Sequence, residues 1–193
     1  MKKALVLGAG GFIGSHMVKS LKSENFFVRG IDLKKPEFSE TKADEFFVYD
    51  LKNTEKFNDF LIKDGEGFDE IYQFAADMGG AGYIFTGEND SNVMHNSALI
   101  NLNICHECIN KGVKRVFYSS SSEVYGEPVE IPQNEETTPL NSRVPYAVVK
   151  NLGEAYFRTY LKEFGLEFTI FRFFNTYGPN QNNDFVISRF IEQ

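Results

Sequence analysis

The sequence predicts an α/β fold, a doubly wound parallel sheet in three layers, α/β/α. Three observations predict it. Apolar β-type runs alternate with stretches of helical period along the chain. The first run, 4–7, passes straight into glycines, and a helical pattern starts at Phe12. The second run, 26–31, ends in Asp32. Strands alternating with helices give a parallel sheet covered on both faces.

Each element has its own warrant. After the strands at 4–7 and 26–31 comes a third at 45–50. Residues 54–63 read as a helix, with Phe57, Phe60 and Leu61 on one face. A fourth strand is expected at 69–76, then a long helix at about 89–110 that Gly112 stops. A fifth strand spans 113–119, and a second long helix, 146–164, ends at Gly165. A sixth strand covers 167–174, and a last helix 186–191. With a glycine loop after the first strand, the expected order is 3-2-1-4-5-6, with ligands along the carboxyl ends of the strands.

Composition bounds the rest. The chain has 193 residues and 42% hydrophobic content, enough for one sizeable core. A net charge of −7 argues against nucleic acid as a partner. No run is apolar for the length of a bilayer span. Two lysines open the chain, but the following run breaks at once into glycines, so it reads as a strand and not a signal peptide. Cys105 and Cys108 fall within a helical pattern, where a disulfide is disfavoured and no second pair exists for zinc. They read as buried thiols, no metal is expected, and the balance fits a reducing cytoplasm.

The chemistry begins in the glycine loop. Its glycines read as G-x-x-G-x-x-G on Gly8, Gly11 and Gly14. Gly8 permits a sharp turn, Gly11 lets backbone N–H groups approach a pyrophosphate, and Gly14 lets the helix pack close on the strand. The N–H groups at the start of the helix, at Phe12 and Ile13, add a positive dipole end. Asp32, about 20 residues on, is placed to accept from a ribose 2′-OH. These residues are the candidate site of a dinucleotide in a Rossmann-type fold. The carboxylate would repel a 2′-phosphate, which favours NAD over NADP, whereas Lys34 and Lys35 pull the other way. Further strand ends carry Asp50-Leu51, Ala75-Ala76 and a crowd of serines, 119–122, followed by Glu123.

The second stretch is Tyr146-x-x-x-Lys150, an i,i+4 pair on one helix face. An ammonium near a phenol lowers the phenol pKa. A tyrosine so tuned takes the proton from a sugar hydroxyl while hydride leaves the same carbon, with Ser121 hydrogen-bonding that oxygen.

Together these motifs, in this order, resemble the extended short-chain dehydrogenase/reductase family, in its nucleotide-sugar epimerase, dehydratase and decarboxylase branch. The motif 172–179, Arg-Phe-Phe-Asn-Thr-Tyr-Gly-Pro, belongs to the same resemblance. It implies a tightly held NAD, catalytic Tyr146, Lys150 and Ser121, cofactor contacts from Asp50, Leu51, Ala75, Ala76 and Lys150, and a substrate site that begins at Asn175. The stretch 75–83 is similar to the GDP-mannose 3,5-epimerases, which implies substrate contacts from Met78 and Gly79. Those enzymes have a cysteine where this chain has Glu123, and a lysine in an insertion after the sixth-strand motif that this chain lacks. Glu123 is instead similar to the acid of UDP-glucuronate decarboxylases and sugar 4,6-dehydratases, and is the candidate second acid or base; the alternative is a solvated turn glutamate. Ser97 stands where the family has Asn, with Asn96 beside it.

The resemblance also implies a GDP- or UDP-sugar partner and a homodimer through the two long helices. It divides the chain into a dinucleotide-binding domain, 1–175, and the start of a substrate region, 176–193, most of whose domain is absent. A non-catalytic dinucleotide-binding domain and an ordinary short-chain alcohol or steroid dehydrogenase are the competing readings. The retained tyrosine, lysine and serine disfavour the first of these. The 172–179 motif and the ending of the fifth strand disfavour the second.

Overall fold

The computed structural model describes residues 1–183 and 185–191. Of the expected substrate region 176–193, Asp184, Glu192 and Gln193 lie outside the described residues. The main sheet has six strands: β1 (Lys3–Leu7), β2 (Phe27–Asp32), β3 (Glu45–Val48), β4 (Glu70–Gln73), β5 (Arg115–Ser121) and β6 (Glu167–Phe173). Their order is β3-β2-β1-β4-β5-β6, the doubly wound order the sequence predicts, and every pairing is parallel. Leu5 pairs with Arg29 on one side and Ile71 on the other, while Ser121 pairs with Phe173.

Alternation along the strands divides the core. Leu5, Leu7, Ile31, Ile71, Val116 and Tyr118 face α4 (Asp90–Asn110) and α5 (Pro145–Phe164), where Ile104 and Phe157 are fully buried. Ala4, Val6, Val28 and Tyr72 form a second core, which Val18 and Leu21 of α1 (Phe12–Ser23) complete. Cys105 and Cys108 are free and buried among the first group; burial pushes the Cys105 thiol up to about 12 and also raises Cys108 well above its ordinary value. Neither is a nucleophile at neutral pH.

Some boundaries move. Only Phe57–Phe60 of the expected helix 54–63 is helical (α2), and Ile62–Lys63 then pairs antiparallel with Glu66–Gly67. The cause is Asp64-Gly65, both at positive φ (56° and 79°), a two-residue hairpin turn. Phe57 and Leu61 are buried as the helical spacing required, so the face was right and the element was not. The fourth strand stops at Gln73, because the Gln73 side chain captures Ala75: its amide donates to the Ala75 carbonyl (2.8 Å) and its oxygen accepts from the Ala75 N–H (3.2 Å). The third strand likewise ends at Val48, although Tyr49 N–H still reaches the Asp32 carbonyl. The fifth strand starts later than expected but runs to Ser121, so three serines lie within it.

Candidate active site

The glycine loop is shaped by close approaches. Gly8 has φ +82°, and the N–H groups of Gly8 and Ala9 both donate to the Ile31 carbonyl, 2.8 and 3.2 Å. A Cβ on Gly14 would stand 2.0 Å from the Gly8 carbonyl oxygen, so the helix can meet the strand only without one. A Cβ on Gly10 would meet the Lys34 carbonyl at 2.1 Å. The reading by spacing passed over Gly10. Its signal was the acid opposite: Asp32 accepts from Gly10 N–H (2.9 Å) and from Lys34 N–H (3.2 Å), tying the loop to the end of β2.

Gly11 differs. A Cβ there would lie 3.4 Å from its nearest neighbour, so the protein's own packing leaves that side open. Gly11 is the N-cap of α1, and no side chain among the described residues caps it. An exposed, uncapped helix start suits an anion, and here Phe12 and Ile13 open the helix. Lys34 is engaged by Glu37 at 3.4 Å rather than standing free beside Asp32.

The neighbouring strand ends are braced by α4. Asn103 donates to the carbonyls of Leu51 (3.0 Å) and Lys52 (3.2 Å), and Asp50 accepts from Lys52 N–H, which sets the Asp50-Leu51 corner. Beyond Ala75 and Ala76, Asp77 is held on three sides. Its N–H donates to Ser97 Oγ (3.1 Å), while its carboxylate accepts from Asn96 (2.6 Å) and from Tyr83 (3.0 Å). Ser97 and Asn96 thus share the work at this position. Asp77 in turn pushes the Tyr83 phenol up. Gly79 fits because a Cβ would lie 2.7 Å from that of Tyr83, in the short helix α3 (Ala81–Ile84), whereas Met78 is exposed. A buried relay unseen in the sequence, Gln73 to Asn101 to Tyr118 to the Lys150 carbonyl, links this corner to α5.

Tyr146, Lys150, Ser121 and Glu123 come together at the end of β5. Tyr146 and Lys150 are buried on α5, and Ser121 closes the strand against them. Lys150 Nζ donates to the Ser119 carbonyl at 2.7 Å and lies 5.8 Å from the Tyr146 ring centre. The expected lowering of the Tyr146 pKa is corrected here. Burial raises it, a Ser121 hydrogen bond acts the other way, and the Glu123 charge raises it further. Lys150 is itself desolvated, down to about 8, and spends its donor on Ser119. Ser121 Oγ also accepts from Glu123 N–H (3.2 Å), starting the 3₁₀ turn Ser122–Tyr125, with Glu123 exposed beside the buried tyrosine.

Asn175 is exposed after β6. Its loop is fastened to the start of α1, where His16 Nε2 meets the Pro179 carbonyl at 2.9 Å. Glu154, one turn beyond Lys150, is buried in contact with Arg172 and Ser120. The sign available in the sequence is the four-residue spacing Tyr146, Lys150, Glu154.

GDP-mannose 3,5-epimerase of Arabidopsis thaliana is 36% identical over 185 residues, 92% of this chain and 48% of that protein. UDP-glucuronic acid decarboxylase 1 of Xenopus tropicalis is 29% identical over 208 residues, covering all of this chain and 46% of that protein. The chain thus spans about half the length of these curated relatives. Among solved structures, a UDP-N-acetylglucosamine 4-epimerase from Methanobrevibacter ruminantium superposes with TM-score 0.85 at 28% identity, over 99% of this chain and 62% of that one. A Thermus thermophilus UDP-glucose 4-epimerase in complex with NAD superposes at 0.81 and 28%, over 93% and 57%. The model of the NAD dependent epimerase/dehydratase family matches residues 4–193, and the chain belongs to that family.

Proposed function

We propose that residues 1–175 are the NAD-binding part of a nucleotide-sugar-modifying enzyme, and that 176–193 begin its substrate region. The observation that carries this reading is the buried group of Tyr146, Ser121 and Lys150 at the carboxyl end of β5, on the parallel sheet whose β1 leads into the uncapped start of α1. The fit to a dinucleotide rests on two features: Gly11 has room where every neighbouring glycine is filled by backbone, and Asp32 keeps acceptor capacity at the end of β2. Gly8, Gly11, Phe12, Ile13 and Gly14 would hold the pyrophosphate, Asp32 the ribose, and Asp50, Leu51, Ala75, Ala76 and Lys150 the remainder. When bound, NAD supplies a hydride acceptor for a carbon that bears a hydroxyl.

Tyr146 would take the hydroxyl proton, Ser121 would hydrogen-bond the same oxygen, and Lys150 would hold Ser119 in place. Unliganded, Tyr146 is a phenol, held up by burial and by the Glu123 charge against the Ser121 hydrogen bond. A cationic ligand beside it would move it back toward phenolate. Saturating NAD should therefore lower the tyrosinate transition that disappears in Tyr146→Phe, followed by ultraviolet difference titration. An unmoved transition would refute this account of the base. In the full-length enzyme Tyr146→Phe should cut the rate about 10²–10⁴-fold.

Two substrate classes fit. The plant GDP-mannose 3,5-epimerases and the well-braced 75–83 stretch, with Met78, Gly79 and Asn175 as substrate contacts, support GDP-mannose-type epimerisation. Glu123 beside Tyr146 favours a UDP-glucuronate decarboxylase or 4,6-dehydratase as the second reading. Mass spectrometry of ligand released from denatured protein tests both. NAD with a GDP-sugar supports the first and a UDP-sugar the second; no nucleotide, with no thermal shift on adding NAD, would end the cofactor assignment. A homodimer through α4 and α5 belongs to the same reading, supported by the exposed Leu102, Val148 and Leu152 on those helices. Sedimentation as a monomer would count against it.

A further inference from the structure

Glu154 is one turn beyond Lys150 and two beyond Tyr146, and its side chain is 1% exposed. Arg172 of β6 grips it with two hydrogen bonds, Nε to Oε1 at 3.0 Å and Nη2 to Oε2 at 2.8 Å. Ser120 of β5 donates to Oε1 at 2.6 Å. The remaining guanidinium nitrogen donates to the Tyr125 hydroxyl (2.9 Å), in the turn that carries Glu123, and to the Glu135 carbonyl (3.0 Å). Arg158 adds a looser contact at 3.7 Å. One ion pair therefore joins α5, two strands and the Glu123 turn.

Its position is specific. Ser120 sits between Ser119, whose carbonyl holds Lys150, and Ser121, which hydrogen-bonds Tyr146. Successive serines of one strand thus meet three residues spaced four apart on one helix. Stability alone is a poor reason for such a pair, since well-packed apolar residues in its place often serve as well or better. A planar fork on a carboxylate, by contrast, fixes both distance and orientation.

We infer that Glu154 and Arg172 are positioning residues that set the seat of α5 against β5, keeping Lys150 on Ser119 and Tyr146 on Ser121. This rests on the proposed reading of Tyr146 and Lys150. It does not require either ion to touch a ligand.

The test uses Glu154→Gln and the apolar double variant Glu154→Leu with Arg172→Met. Three quantities are measured in each: the urea midpoint, NAD affinity by calorimetry, and the Lys150 titration by NMR of labelled lysine. The double variant should unfold at or above the wild-type midpoint, bind NAD at least tenfold more weakly, and show Lys150 titrating higher than the wild type. Wild-type NAD affinity and an unmoved Lys150 in a folded double variant would show that the pair only holds the fold. Loss of fold in both variants would show the same. If the wild type itself does not bind NAD, the functional reading fails, and the Lys150 titration still decides the positioning role.

Discussion

Gly14→Ala should unfold this protein or lower its melting temperature by about 10 °C, whereas Gly11→Ala should leave it folded and weaken NAD binding at least tenfold. The two glycines lie in one motif and look equivalent in sequence, but their surroundings differ. At Gly14 a Cβ would be 2.0 Å from the Gly8 oxygen, 2.7 Å from its carbonyl carbon and 2.9 Å from the Ala9 Cα. All three are backbone, so the helix must move off the strand. Helix propensity alone predicts the opposite sign, since alanine gains about 1 kcal/mol over glycine inside a helix. The clash must exceed that, and overpacking against rigid backbone lies at the large end of single-substitution effects, about 3 kcal/mol or more. At about 2–4 °C per kcal/mol for a chain of this size, the shift is easily read by calorimetry.

At Gly11 the added methyl meets only the Gly8 oxygen, at ordinary contact distance (3.4 Å). Its structural cost is the loss of a favourable N-cap residue, at most about 1 kcal/mol. Its functional cost is a methyl group on the open side, where the proposed pyrophosphate would approach the α1 N–H groups. An unaffected Gly14→Ala would refute the close approach of helix and strand. A Gly11→Ala variant with unchanged NAD affinity would remove the pyrophosphate from this loop.

The contrast shows which features were legible before the structure. Strand order followed from hydrophobic alternation and one glycine loop, because few topologies accept a helix that starts so abruptly after a strand. The hairpin at 62–67 was hidden, since Phe57, Phe60 and Leu61 keep helical spacing although the chain turns at Asp64-Gly65. Local turn chemistry overrode a short periodic signal. Gly10 was passed over because spacing rules count glycines and do not weigh what each one faces. Glu154 was passed over because a carboxylate on a long helix is usually solvated, and only a tertiary partner, Arg172 from a distant strand, reveals otherwise. The sign of the Tyr146 shift does not follow from spacing, which points to a lowering where the structure gives a rise. Spacing places a lysine near a tyrosine, but only the packed structure shows that both are desolvated and that the amine is turned to Ser119.

Lys150 gives the second large effect, a pH-dependent stability that Lys150→Met should abolish. In the folded chain the amine titrates at about 8, against 10.5 when free. Below pH 8 both folded and unfolded chains hold the proton, and the native state bears the full cost of a buried ammonium. Between pH 8 and 10.5 the unfolded chain holds the proton and the folded chain has released it. The unfolded state then binds more protons, so stability rises with pH across that window. At about 1.4 kcal/mol per pKa unit the total gain is on the order of 3 kcal/mol. The groups facing Lys150 do not reverse this sign. The Tyr118 ring lies at 5.6 Å and the Tyr146 ring at 5.8 Å, and both phenols are pushed up by burial. Glu154 is committed to Arg172. Raised phenols act in the opposite sense above about pH 10, where unfolded tyrosines ionise first, so the measurement belongs between pH 8 and 10. Lys150→Met removes the buried charge but strands the Ser119 carbonyl, a loss of about 1–3 kcal/mol. At pH 7 the two terms nearly cancel, and the variant should match the wild type. At pH 10 only the stranded carbonyl remains, and the variant should be the less stable by about 2 kcal/mol. Urea midpoints of both proteins at pH 7, 8, 9 and 10 decide it: parallel curves would mean that Lys150 keeps its ordinary affinity for the proton. The amine would then be hydrated, and the site at the end of β5 open to water before any ligand arrives.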